Sequence, residues 1–202
     1  MNMNEATLDR REVLASLFPN PDRYLLVAGL AGAARDVAAY TFEADNLITL
    51  GGAMGGAVSL GLGMALSTPD DQVAVITGDA ELLMNIGALA TVASVMPGNF
   101  SIVCIDNERH METGGQPSHT SRDTNLAVMA EGAGLASTLT IDRSAELADA
   151  ATFLVEAAAP RFLCVRVVPG PPADYKRDWD LAAGRLRFRN AFIGRHAGIS
   201  NP

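Results

Sequence analysis

Short apolar runs alternate along the chain with longer segments whose apolar residues recur at helical spacing. The runs at 24–27, 47–50, 73–77, 100–105, 138–141 and 162–168 are rich in Val, Ile, Leu and Phe and are bounded by Gly, Pro, Asn or Asp, which reads as buried strands. Between them, apolar periodicity predicts helices over 5–18, from Gly29 and Gly32 to about Tyr40, over 51–66 and 81–96, from about Asn125 to Glu131, and over 144–158. Strand and helix in strict alternation predict an α/β domain, a mostly parallel sheet with helices on both faces. That domain is expected to fill residues 1–170. Beyond the Pro169-Gly-Pro-Pro172 run the composition turns Arg-rich, and 171–202 reads as a C-terminal arm with one short helix.

Two stretches depart from ordinary core patterning. The first, Gly51-Gly-Ala-Met-Gly-Gly, continues into a helix that still carries Gly61 and Gly63. Glycine costs helix propensity, so these positions are expected to press closely on the sheet or on another subunit. No G-x-G-x-x-G follows the first strand, and no P-loop lysine motif is present, which argues against a dinucleotide or P-loop fold. The second stretch runs from Gly78 to Gln116. Two strands joined by a helix deliver their C-terminal ends, Asp79 and Asp106-Asn107, to one sheet edge, where oxygen ligands can converge on Mg²⁺ and a phosphate. Read singly, Asp79 is a helix N-cap and Asp106-Asn107 a turn. The polar loop 107–123 that follows is of a length usually tied to function or motion.

Composition narrows the classes. Net charge is −8 with a single lysine, Lys176, and no basic stripe, so no nucleic-acid partner is expected. No apolar run reaches the roughly 18 residues of a membrane span, and the N-terminus MNMNEATLDRREVL has no signal-peptide core. Cys104 and Cys164 lie inside strand runs, as free buried thiols of a cytoplasmic protein.

Gly78-Asp79-Ala80, twenty-five residues and then Asp106-Asn107 resembles the diphosphate–metal motif of thiamine diphosphate enzymes. The chain is most similar to the small (beta) subunit, or C-terminal domain, of phosphonopyruvate and sulfopyruvate decarboxylases. The blocks Gly51-Gly-Ala-Met-Gly-Gly, Gly78-Asp-Ala-Glu-Leu-Leu-Met-Asn and Asp106-Asn-Glu-Arg-His-Met-Glu-Thr-Gly-Gly-Gln-Pro carry the likeness, with a looser match at Gly32-Ala-Ala-Arg35, over roughly residues 8–170. The resemblance implies that Asp79, Asn107 and the Arg109 carbonyl ligate Mg²⁺. It implies a thiamine diphosphate cradle of Gly52, Ala53, Met54, Gly78, Asp79, Ala80, Glu81, Asn107 and Met111. In it the Gly52 carbonyl meets the aminopyrimidine and Met54 is the apolar wedge that bends the cofactor. The loop histidines read either as solvated polar residues or as functional ones: His110 is then expected to face substrate and relay a proton, and Gln116 and His119 to order over the bound cofactor.

Two stretches depart from the family pattern. Ala80-Glu81 stand where a third glycine and a neutral residue are usual. Glu81 either points away from the diphosphate or weakens its binding. Glu108 stands where glycine is frequent and is expected to tilt the metal loop. In the family a second domain binds the pyrimidine ring and supplies the glutamate that activates the cofactor. Glu43 lacks the context for that role. A separate pyrimidine-binding (alpha) subunit is therefore expected to supply it, with this chain itself forming homo-dimers or higher oligomers. The resemblance implies a carboxy-lyase acting on a small 2-oxo acid. A carboligase of the acetolactate synthase type and a scaffold that has lost the cofactor are the alternatives.

Overall fold

A computed structural model describes residues 6–196. Residue 5, where the first helix was expected to begin, and 197–202 of the expected arm lie outside the described residues. Among the described residues eight strands and eight α-helices follow in the order α1 (Arg10–Leu17), β1 (Tyr24–Ala28), α2 (Ala31–Thr41), β2 (Leu47–Thr49), α3 (Ala57–Ser67), β3 (Gln72–Gly78), α4 (Asp79–Met84), α5 (Ala88–Val95), β4 (Phe100–Asp106), β5 (Arg109–His110), β6 (Gln116–Pro117), α6 (Leu126–Ala133), β7 (Ser137–Ile141), α7 (Leu147–Glu156), β8 (Arg161–Arg166) and α8 (Leu181–His196). Six strands form one sheet in the order β2-β1-β3-β4-β8-β7, every neighbouring pair parallel. The expected α/β fold is the observed one.

Side-chain alternation along each strand builds two cores, one on each face. Ala74, Ile76, Val103 and Ile105 face α1, α2 and α7, whereas Val73, Val75, Ile102 and Cys104 face α3, α5 and α6. Both cysteines are free and buried, opposite each other on adjacent strands. Gly61 accounts for the close fit of α3. A Cβ there would stand 2.2 Å from Val75 Cγ2, while one on Gly63 would meet nothing within 4 Å. The two helical glycines therefore have different environments, one against the sheet and one facing outward.

Three segments differ from expectation. The 51–66 stretch is a turn followed by a helix that starts only at Ala57. The 81–96 helix is two, α4 and α5, broken at Asn85-Ile86-Gly87. Asn85 causes the break: its side-chain amide leaves the helix to donate to Gly55 O at 3.2 Å and Ser59 Oγ at 3.4 Å, a competition typical of Asn. The arm carries not a short helix but the 16 residues of α8, whose Phe188 and Phe192 pack on the α3 side of the sheet.

Strand order fixes where a ligand can sit. From β1 the chain moves outward to β2 and then returns to the opposite side of β1 as β3. At such a switch point the loops leaving adjacent strand ends diverge and open a crevice at the carboxyl edge. Among the described residues no helix is long and apolar enough to cross a membrane.

Candidate functional site

A cavity of about 360 Å³ opens at that edge. Its wall takes residues from each loop that leaves the switch point: Leu30 to Ala33 after β1, Gly51 and Met54 after β2, Gly78 to Glu81 after β3, and Asn107 with Arg109 to Thr113 after β4. Of the residues singled out in the sequence, Met54, Gly78, Asp79, Ala80, Glu81, Asn107, Arg109, His110 and Met111 line this one cavity. Gly52 and Ala53 sit exposed in the turn beside it, outside the lining. Met54 is half-exposed and not a core residue. His119 is exposed in a separate depression beside Leu83 and Val128, and Gln116 bonds back to Thr113 within its own loop.

Asp79 is almost fully buried, and its carboxylate is oriented from below. Ser118 Oγ donates to Oδ2 at 2.5 Å and Thr120 Oγ1 approaches the same oxygen at 3.1 Å. Among the described residues no hydrogen bond reaches Asp79 Oδ1, although Asp79 lines the cavity. Thr120 Oγ1 also donates to Asp106 Oδ1 at 2.7 Å, which ties the two acids together. Burial, followed by the charge of Asp79, pushes the Asp106 carboxyl up to about 6. Neither hydroxyl was singled out in the sequence. Both belong to the 107–123 loop, which is not irregular but carries the two-stranded β5–β6 hairpin and two short 3₁₀ turns.

That hairpin sets the other oxygen donors. Arg109 N–H donates to Asn107 Oδ1 at 3.1 Å, leaving this oxygen a second lone pair. Ser118 N–H bonds Glu108 O, so the next pair, Arg109 opposite Pro117, is the one without mutual bonds. In such a pair both backbone groups point away from the partner strand, so the Arg109 carbonyl leaves the hairpin on the side where its N–H meets Asn107. One carboxylate, one amide oxygen and one carbonyl would together make a hard, oxygen-only donor set. Among the described residues no three His, Cys, Asp or Glu side chains converge as a softer metal site would require. With Asp79 Oδ1 accepting no hydrogen bond and open space around Gly78 and Gly52, the residues present fit Mg²⁺ and a diphosphate.

The two family departures have local explanations. Glu108 adopts φ 58°, the left-handed region where glycine is easiest. Its carboxylate turns away to pair with Arg166 at 2.5 Å. Glu81 is buried and points toward β1: Oε2 accepts from Leu30 N–H at 3.0 Å and Thr77 Oγ1 at 2.9 Å. Gly29 makes room for it, since a Cβ there would lie 1.9 Å from Oε2. Glu81 thus braces the β1–α2 turn, though its Oε1 finds no partner. The helix that starts at Asp79 is only the six residues of α4, so its dipole contributes less at the site than a long helix would.

A further wall was not foreseen. After β8 the chain crosses the cavity mouth and adds Pro172, Arg177 and Trp179 to its lining. Ala173 N–H donates to Asp36 Oδ1 at 2.7 Å, and Asp178 N–H to Glu43 Oε1 at 2.8 Å. A Cβ on Gly51 would fall 2.1 Å from Leu181 Cδ1, so the start of α8 closes on the glycine turn. Glu43 therefore anchors this strap.

A family model described as "Thiamine pyrophosphate enzyme, C-terminal TPP binding domain" matches residues 31–165. The sulfopyruvate decarboxylase subunit beta of Methanocaldococcus jannaschii is 43% identical over 96 residues, 48% of this chain and 50% of that protein. The phosphonopyruvate decarboxylase of Streptomyces viridochromogenes is 35% identical over 132 residues, 65% of this chain and 33% of that one. The chain thus spans half the length of the first relative and a third of the second. Among solved structures, the benzoylformate decarboxylase of Polynucleobacter necessarius superposes with a TM-score of 0.66 at 19% identity, covering 82% of this chain and 34% of that one. At that identity the likeness is one of fold.

Proposed function

The chain belongs to the thiamine pyrophosphate enzymes, through their C-terminal TPP binding domain, and on that premise we propose that it is the diphosphate- and Mg²⁺-binding subunit of a thiamine diphosphate-dependent 2-oxoacid decarboxylase. The substrate we propose is a pyruvate bearing a terminal sulfonate or phosphonate, the class in the names of its relatives. The observation that carries the reading is the pairing of Asp79 and Asn107 at adjacent strand ends on one cavity. Asp79, Asn107 and the Arg109 carbonyl would hold the metal. Gly78 and the turn at Gly51 to Met54 would let the cofactor approach the backbone. Thiamine diphosphate, when bound, supplies the carbanion chemistry that 2-oxoacid decarboxylation needs.

This chain's residues position and exclude. Ser118 and Thr120 fix the Asp79 carboxylate, Met54 presents an apolar surface to the cofactor, and His110 stands on the wall as a proton carrier beside the substrate. Two glutamates line the cavity, and we assign neither to cofactor activation: Glu81 is committed to Leu30 and Thr77, and Glu112 is exposed on the turn between β5 and β6. We therefore propose a separate pyrimidine-binding subunit that carries this acid, as the designation "subunit beta" of the Methanocaldococcus jannaschii relative supports. The scaffold alternative rested on Ala80, Glu81 and Glu108. Both glutamates turn to protein partners, which leaves only a small residue, Ala80. The test is reconstitution: purified chain is assayed for CO₂ release from 2-oxo acids with and without the proposed pyrimidine-binding subunit. Activity only in the mixture is expected, and full activity of this chain alone would refute the divided site.

A further inference from the structure

Arg177 combines burial with an unmet charge. The residue is only 6% exposed, and its Nη1 is buried with no hydrogen-bond partner. Its guanidinium lies over the Trp179 ring, 4.3 Å from the centroid, and both side chains line the cavity. Among the described residues neither Arg177 nor Arg35, a second cation on the same wall, forms an ion pair. Arg10 by contrast is committed to Asp36. Glu43 and Glu112 lie near enough to favour the Arg177 charge, but neither is within 4 Å, and burial together with the Arg35 charge works against it. An unpaired cation held this way costs free energy that a bound anion recovers.

We propose that Arg177 is an oxyanion-binding residue of this cavity, taking a tetrahedral phosphonate, sulfonate or phosphate group on its guanidinium fork. A planar five-donor group matches such oxygens in pairs, which an ammonium cannot do. Trp179 fixes the plane of the fork, and the strap anchors at Asp36 and Glu43 fix its place. Two sources offer this chemistry, the cofactor diphosphate and the anionic end of the substrate. The second is favoured because residue 177 lies beyond the segment 31–165 that this chain shares with the cofactor-binding domain. The choice of substrate rests on the proposed function, whereas the oxyanion site does not.

Trp179 is the only tryptophan, so its fluorescence reports this site directly. Full-length chain is titrated with phosphonoacetate, with and without saturating thiamine diphosphate and Mg²⁺, in the wild type, Arg177→Gln and Arg177→Lys. Circular dichroism verifies that each variant is folded. A saturable change is expected in the wild type, roughly ten- to hundredfold weaker in Arg177→Gln and intermediate in Arg177→Lys. Persistence of the response in the presence of cofactor assigns the site to the substrate's anionic end. Competition by cofactor, with cofactor affinity itself weakened in Arg177→Gln, assigns it to the diphosphate. Absence of cofactor binding both by the chain alone and by the chain mixed with its pyrimidine-binding partner, alongside an Arg177-dependent phosphonoacetate response, would overturn the proposed function and leave the oxyanion site standing. No saturable change in the wild type, or equal affinity in folded Arg177→Gln, would overturn the proposal.

Discussion

Ser118 donates its hydroxyl proton to Asp79 Oδ2 across a sequence separation of 39 residues, at 2.5 Å. The bond, with Thr120 Oγ1 standing 3.1 Å from the same oxygen, means that the carboxylate at the end of β3 is aimed by the loop after β4. A ligand carboxylate oriented this way keeps one oxygen for metal, as outer partners of metal ligands generally ensure.

Removing that partner is expected to weaken metal-dependent cofactor binding without unfolding the chain. Ser118→Ala leaves the Thr120 contact, so calorimetry should show thiamine diphosphate affinity in Mg²⁺ falling roughly tenfold, and the Ser118→Ala/Thr120→Val double variant falling further. Unchanged affinity in the double variant would show that Asp79 needs no support from the loop.

Asp106 gives a pH prediction of fixed sign. Burial and the Asp79 charge raise its carboxyl from 3.8 to about 6 in the folded chain. The folded state therefore holds this proton more tightly than the unfolded state, and stability falls as pH rises between these values. Asp106→Asn keeps an oxygen for the Thr120 hydroxyl and lacks the charge. In metal-free buffer its advantage over the wild type should be near zero below pH 4 and grow to at most about 3 kcal/mol above pH 6. Urea denaturation across that range measures it; an advantage that shrinks with rising pH would contradict the assignment.

Gly61 and Gly63 predict opposite results from the same substitution. Gly61→Ala drives a Cβ into Val75 and should cost about 1–3 kcal/mol. Gly63→Ala meets open space and should stabilise the isolated chain by about 0.5–1 kcal/mol through helix propensity. Thermal unfolding of the two variants distinguishes them. Loss of oligomer in Gly63→Ala would show that this outward face meets another subunit.

Asp36 carries the Arg10 ion pair, at 2.6 Å and with both side chains buried, and also one anchor of the strap. Asp36→Ala leaves a buried guanidinium uncompensated and should cost about 3–5 kcal/mol, measured by denaturant unfolding. The variant should also loosen the strap, seen as faster hydrogen exchange at Ala173.

The sheet and the paired acids were legible because strand ends are marked twice, by the apolar run that stops and by the polar residue that follows. Asp79 and Asn107 could be placed on one edge from that signal and the parallel connection alone. Ser118 and Thr120 could not. Hydroxyls in a polar loop have no periodicity, and only the hairpin fold turns them toward Asp79. The break at Asn85 was hidden by apolar spacing that continues across it, and its cause is a contact with Gly55 that is distant in sequence. Glu81 was recognised as an anomaly, but its direction depends on the room left by Gly29. Arg177 and Trp179 lie in a stretch with no strand or helix pattern. Their position over the cavity depends on anchors at Asp36 and Glu43 that no local sequence rule reveals.

The central claim, that Asp79 and Asn107 hold a metal–diphosphate, is tested most directly by calorimetry of thiamine diphosphate with Mg²⁺ on the full chain, alone and with its pyrimidine-domain partner. Saturable, Mg²⁺-dependent binding is expected in the wild type, abolished in Asp79→Ala and weakened roughly ten- to hundredfold in Asn107→Ala. Binding that survives unchanged in Asp79→Ala, or absence of binding by the wild type under both conditions, would contradict it.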